Sequence, residues 1–304
     1  MNWNGLIPAM VTPMKEGGAV DEAALAKYVK WLLPQGPVAL AVNTDAGEGP
    51  LLLPEERLRV LEVVAGEVAG HVPVVCGLGG VSSGAALEFG KSAKARGAAA
   101  WLVFPHGAFR GARGEDPVII EYHHRVAALG LPIIVFQLQP ELGGAEYPLE
   151  TLARLTEIPE VEAIKEATFD AFRYRTTAAF LRGLPRRIAI LTGNDNFILE
   201  SFLMDADGAL IGFGAVATRE QAEMIRAVKS RDFTGAFALY SRLNPLAQAV
   251  FAPPVRDYRA RLKEVLRLQG IIPAGHVRPP LLPLSRAETD GIRNVLSAHA
   301  FPVK

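Results

Sequence analysis

The chain has 304 residues, half of them hydrophobic, and its 32 Lys and Arg balance 32 Asp and Glu. This composition excludes disorder, and the absent net charge leaves no global field to recruit nucleic acid or an anionic membrane. A basic-then-apolar leader, an apolar run near the roughly 18 residues of a spanning helix, and a partner for the single Cys76 are all missing. These features read as a soluble cytoplasmic protein in a reducing compartment.

Eight short apolar runs predict strands at Leu6–Thr12, Val38–Val42, Val72–Gly77, Ala99–Phe104, Pro132–Leu138, Val161–Lys165, Ile188–Thr192 and Gly208–Gly212. Segments of helical period lie between them. Leu25, Tyr28, Val29 and Leu32 fall at i, i+3, i+4 and i+7 behind Asp21, which is placed to cap. Pro54 with Glu55 and Glu56 opens a second helix whose stripe is Leu58, Leu61, Ala65 and Val68. Thr218 and Gln221 have the spacing of a capping box. Strands apolar on both faces and alternating with helices imply a parallel sheet, and eight units fit a closed (β/α)8 TIM barrel. No GxGxxG follows the first strand, which argues against a doubly wound dinucleotide fold. The barrel is expected over residues 1–230. A helical extension over 231–304, with helices at Asp232–Phe251, Val255–Gln269 and Ser285–Ala298, packs on it as part of one domain. Nothing in that tail reads as catalytic.

Barrel active sites lie at the carboxyl ends of the strands, so the residues there carry the functional argument. The sixth run, Val161-Glu162-Ala163-Ile164-Lys165, ends on a lysine that shares a face with Val161 and Ala163. Burying an ammonium is costly, and a depressed pKa relieves the cost; a neutral amine is the nucleophile that forms a Schiff base with a carbonyl. The alternative is a lysine whose head group reaches solvent. Strand two runs into Asn43-Thr44-Asp45-Ala46-Gly47-Glu48-Gly49, strand four into Pro105-His106-Gly107 and strand five into Phe136-Gln137-Leu138-Gln139. Strand seven ends at Gly193-Asn194-Asp195, and strand eight carries Leu210 and Gly212. Asp195 has a second reading, as the cap of the following helix.

Together these segments resemble the dihydrodipicolinate synthase/N-acetylneuraminate lyase family of class I aldolases over nearly the whole chain. The resemblance rests on Pro8-Ala9-Met10-Val11-Thr12-Pro13, on Gly47-Glu48 followed by Pro54-Glu55-Glu56-Arg57, and on Ile164-Lys165-Glu166-Ala167. Gly193-Asn194-Asp195, Ala206-Asp207-Gly208-Ala209 and Arg278-Pro279-Pro280-Leu281 complete it, in this order. It implies that Lys165 condenses with the ketone of a 2-oxo acid, typically pyruvate, without a cofactor, and that backbone amides at Asp45 and Ala46, with Gly47 nearby, receive the carboxylate. It also implies a homo-oligomer, a tetramer or dimer.

The departures are as informative. The family's usual turn hydroxyls are replaced in Thr44-Asp45-Ala46-Gly47-Glu48, and its proton-shuttling tyrosine on strand five is Phe136. The tyrosine pair after the strand-four proline becomes His106-Gly107, and the synthase's substrate-binding arginine falls at Leu142. These losses reject dihydrodipicolinate synthase activity itself. Asp45 and His106 are left as candidate acid/base groups, and Ala46, Gly47, Phe136, Gln137, Gly193, Asp195, Leu210 and Gly212 as candidate substrate contacts. The expected function is a Schiff-base lyase, aldolase or dehydratase, acting on a small carbonyl substrate. Two alternatives stand beside it: a metal-dependent lyase using Asp45, Glu48, His106 and Asp195, and a non-catalytic binding or regulatory descendant of an enzyme.

Overall fold

The computed structural model describes residues 1–303, and eight parallel strands form its centre. They are β1 (Leu6–Pro8), β2 (Leu40–Val42), β3 (Val74–Leu78), β4 (Ala100–Val103), β5 (Ile133–Leu138), β6 (Val161–Ala167), β7 (Ala189–Thr192) and β8 (Gly208–Ile211). From β2 to β8 each strand pairs in parallel with the next, and β1 pairs with β8. Strand residues are almost all buried on both faces, as expected when helices cover the outside of the barrel and side chains fill the inside.

Closure falls just past β1. That strand is shorter than its apolar run because the chain changes partner after Pro8. Ala9 N still donates to Ile211 O on the β8 side, whereas Met10 N donates to Ala41 O of β2 at 2.9 Å. Two consecutive amides therefore join the two edges of the sheet, and the structure is a (β/α)8 TIM barrel with C-terminal helices.

The outer helices are α1 (Glu22–Leu32), α2 (Pro54–Val68), α3 (Ser83–Lys94), α4 (Pro117–Ala127), α5 (Leu149–Thr156), α6 (Ala171–Arg182), α7 (Ile198–Leu203) and α8 (Thr218–Lys229). Helix α1 starts where Asp21 accepts the Ala24 amide, and it buries Leu25, Tyr28, Val29 and Leu32. In α2 the buried stripe is Val60, Leu61, Val64 and Val68, so the helix is rotated from the predicted face; Leu58 and Ala65 are only half-buried. The predicted capping box of α8 does not form. Thr218 Oγ1 donates to Gly214 O and Gln221 Nε2 to Phe213 O, each at 2.7 Å, so both side chains reach back and fasten the turn after β8.

Three further helices follow the barrel: α9 (Phe233–Val250), α10 (Tyr258–Leu268) and α11 (Arg286–Ala298). A buried ion pair ties α10 to the turn after β2. Lys263 and Glu48 are both without solvent exposure and pair directly, and Glu48 Oε2 also accepts the Arg278 amide at 2.7 Å. No helix among the described residues is long and apolar enough to cross a membrane.

Candidate active site

Lys165 sits on the inner face of β6, opposite Phe136 of β5 and Leu191 of β7. Its side chain is 7% exposed, and its ammonium nitrogen lies 4.1 Å from the Phe136 ring centroid. Among the described residues no carboxylate lies within ion-pair distance of it and no hydrogen bond is made to it. Burial pushes its pKa down from the ordinary lysine value to about 8, against the opposing pull of the Asp195 and Asp45 carboxylates. A neutral amine is therefore accessible near physiological pH. The room it occupies is made by Gly193: a Cβ there would stand 2.6 Å from both Lys165 Cε and the Ala167 Cβ.

The turn after β2 is shaped by left-handed backbone at Asn43 (φ 55°) and Glu48 (φ 57°). Gly47 packs on β1, where a Cβ would lie 2.7 Å from Met10 O, and its own carbonyl accepts from Thr12 Oγ1 at 2.8 Å. Glu48 N and Gly49 N close the turn onto Asp45 O and Thr44 O. The amides of Asp45 and Ala46 have no protein acceptor among the described residues. Two adjacent free N–H groups on a buried turn make a nest suited to a carboxylate.

Asp45 differs from the expected free acid/base. Arg259 Nη2 reaches both its carboxylate oxygens at 2.6 Å, Arg259 Nε donates to its carbonyl at 3.0 Å, and the Tyr258 hydroxyl donates to its Oδ2 at 2.7 Å. Both partners come from α10, in the tail that contains no recognisable catalytic motif. The expectation that the tail stays clear of the site is overturned: the sequence reading missed Tyr258 and Arg259. One signal was available, since a buried aspartate in a barrel mouth requires a cation, but nothing in the sequence singles out Arg259 among the basic residues.

Asp195 does not cap the helix that follows it, whose first residue follows Phe197. Its Oδ1 accepts the Phe213 amide at 2.7 Å, fixing the end of β7 to the end of β8. Burial raises its pKa to about 7, offset by the backbone donors of Phe213 and Gly212 and by Lys165. Gly212 leaves room that the extension fills: a Cβ there would meet the Tyr258 ring at 3.1 Å, with Leu262 and Phe251 at 3.6 Å.

Other predicted residues lie elsewhere. Gln137 pairs in register with Glu166, one position out of phase with Phe136 and Lys165, so it faces the outer layer. There its Oε1 accepts the Tyr147 amide at 2.9 Å and its Nε2 approaches Glu166, which Asn194 and Thr168 also bind. Leu210 is fully buried within β8, paired with Ile7. His106 is half-buried; its Nδ1 accepts the Ala108 amide at 3.1 Å, and its Nε2 lies 3.3 Å from Val81 O. It caps the short turn Gly107–Phe109 and lines a cleft of about 1070 Å³ beside the barrel mouth. Asp45, Arg259, Phe104 and Leu138 line the same cleft, but Lys165 does not. Asp45, Glu48 and His106 line this cleft and Asp195 does not, and no group of three or more His, Cys, Asp or Glu side chains is arranged as a metal site among the described residues.

Known proteins match the sequence and the fold along nearly the whole chain. The family model described as "Dihydrodipicolinate synthetase family" matches residues 2–299. The chain is 30% identical over 297 residues to a 4-hydroxy-tetrahydrodipicolinate synthase of Moorella thermoacetica, covering 97% of this chain and 98% of that one. It superposes with a TM-score of 0.82 and 26% identity on a dihydrodipicolinate synthase from Acinetobacter baumannii complexed with pyruvate, covering 99% of this chain and 100% of the other. The fold is shared at a TM-score of 0.89, with 22% identity, by a prophage protein of Escherichia coli K12, over 98% and 99% of the two chains. With a lysine inside the barrel mouth and an amide-lined turn beside it, this protein belongs to the dihydrodipicolinate synthetase family.

Proposed function

We propose that the protein is a class I lyase that forms a Schiff base between Lys165 and a 2-oxo acid such as pyruvate or a 2-keto-3-deoxy acid. It then cleaves a carbon–carbon or carbon–oxygen bond. The observation that carries this reading is the Lys165 amine: buried, without an ion-pair partner, and depressed toward neutrality. Attack of that amine on the ketone and loss of water leave an iminium, which accepts the electron pair of the C3–C4 bond in an aldol cleavage, or of a C3–H bond in a dehydration, where the resulting enamine expels the C4 hydroxyl with the C–O pair. The Asp45 and Ala46 amides support the reading as the receptor for the carboxylate. The pyruvate bound to the Acinetobacter baumannii relative belongs to the same substrate class.

Dihydrodipicolinate synthesis itself is not part of this reading. Phe136 offers no hydroxyl, Leu142 stands where an arginine is expected, and Asp45 is held by Arg259. Phe136, Phe104, Phe213 and Phe251 line or back the mouth, which favours an acyl chain with an apolar substituent over a polyhydroxylated one. His106, spent on capping a turn, is assigned no proton-transfer role. A cytoplasmic homo-oligomer, tetramer or dimer, remains part of the proposal.

The test is a panel of 2-keto-3-deoxy acids with polar and apolar tails, with release or uptake of pyruvate measured. The expected result is turnover of at least one apolar-tailed compound, abolished in Lys165→Ala. Turnover that survives Lys165→Ala contradicts the reading.

A further inference from the structure

We propose that the hydroxyl of Tyr258, carried into the barrel mouth by α10, is the proton-transferring group of this site, with Asp45 as its proton acceptor and Arg259 as the residue that positions Asp45. This rests on the Schiff-base reading above and names the group that serves it.

Two contacts place the phenol. Its oxygen donates to Asp45 Oδ2 at 2.7 Å, at the end of β2. Its ring lies against Gly212 at the end of β8, within contact distance of a Cβ at that position, and stacks on Phe251 with centroids 5.1 Å apart. The Asp195 carboxylate, fastened to the Phe213 amide next to Gly212, adds to the field on Tyr258. The hydroxyl end of Tyr258 thus lies between the end of strand eight and the end of strand two, and the nearby Asp45 and Asp195 are the charges that act on Lys165. It is 5% exposed, and burial together with Asp45 raises its pKa well above that of an ordinary phenol, so the resting group carries its proton. Phe136 leaves strand five without a hydroxyl.

On the iminium formed by Lys165, a C3–H bond breaks. Its electron pair becomes the C2=C3 bond, and the C2=N π pair returns to nitrogen, giving the enamine. The proton passes to the Tyr258 oxygen as the phenolic proton passes to Asp45 Oδ2. Protonation of the enamine runs the same path in reverse: the phenol gives its proton to C3 as Asp45 Oδ2 returns its proton to the phenolic oxygen, and Arg259, bound to both Asp45 oxygens, holds that carboxylate in place. For a 4-hydroxy substrate the same relay takes the C4 hydroxyl proton as the C3–C4 bond breaks.

The experiment follows deuterium uptake from heavy water into the methyl group of pyruvate, alongside borohydride trapping read by intact mass, in the parent and in Tyr258→Phe. Expected is a loss of exchange by about 10²–10⁴-fold with the trapped adduct retained. Exchange within about twofold of the parent overturns the proposal. So does loss of adduct and exchange together in a variant with the parent's melting temperature, which assigns Tyr258 to binding. If Tyr258→Phe does not fold, Asp45→Asn serves the same comparison: exchange lost with adduct retained supports the relay, and unchanged exchange overturns it. No adduct on the unaltered protein overturns the Schiff-base reading, and the relay with it.

Discussion

Gly193 and Lys165 are built around one another: a Cβ at Gly193 would stand 2.6 Å from Lys165 Cε. The glycine is at the end of β7, one strand away from the lysine, and its amide bonds Glu166 O at 2.6 Å, so it has little freedom to retreat. The lysine therefore owes its position inside the barrel to a missing side chain on its neighbour.

Gly193→Ala is accordingly expected to displace the amine while leaving the barrel folded. A misplacement of about 1 Å costs on the order of 10²-fold in a positioned reaction. The rate of borohydride-trapped adduct formation should fall by that order; an unchanged rate shows that the side chain does not need the space.

Burial of Lys165 also has a stability consequence. A lysine whose folded-state pKa lies at about 8, below the ordinary 10.5, resists burial while protonated. The penalty is full below about pH 8 and fades as pH rises toward 10.5. Lys165→Met should therefore stabilise the protein at pH 7, by up to about 3 kcal/mol, and by much less at pH 10. Denaturant unfolding at the two pH values checks this. Destabilisation at pH 7 contradicts the account of the buried amine.

The same depression sets the pH dependence of imine formation, because only the neutral amine attacks. The trapping rate should rise with pH and level off above about 8, rather than climbing on toward 10.5. Initial rates of adduct formation between pH 6 and 10 test it. A midpoint near 10.5 shows a solvated, unperturbed lysine.

Much of this architecture was legible in the sequence, for identifiable reasons. The strands declared themselves because both their faces are apolar, and Lys165 stood out as the one charge on the inner parity of β6. Phe136 and Gln137, by contrast, are adjacent in an extended strand and cannot share a face. Alternation alone is enough to set Gln137 apart from Lys165 and Phe136, although the sequence reading takes both Phe136 and Gln137 as substrate contacts. Tyr258 and Arg259 were not legible in this way. They lie 213 and 214 positions from Asp45 in the chain, on a helix whose amphipathic stripe says only that it packs. The α8 start was misread because Thr218 and Gln221 have capping spacing yet spend their side chains on the preceding turn.

The buried pair between Glu48 and Lys263 anchors α10, and with it Tyr258 and Arg259. Replacing Glu48 with Gln leaves Lys263 buried without its counter-charge, since its remaining partner is His276 O at 2.8 Å. The expected cost is about 3–5 kcal/mol, read as a lower unfolding midpoint. A midpoint within the error of the parent shows that the pair does not hold the extension in place.

The central claim concerns a covalent bond, and the most direct measurement is intact and peptide mass after incubation with pyruvate and borohydride. The account predicts one reduced pyruvate-derived adduct per chain, located on Lys165 and absent from Lys165→Met. An unmodified chain, or an adduct on a different lysine, contradicts it.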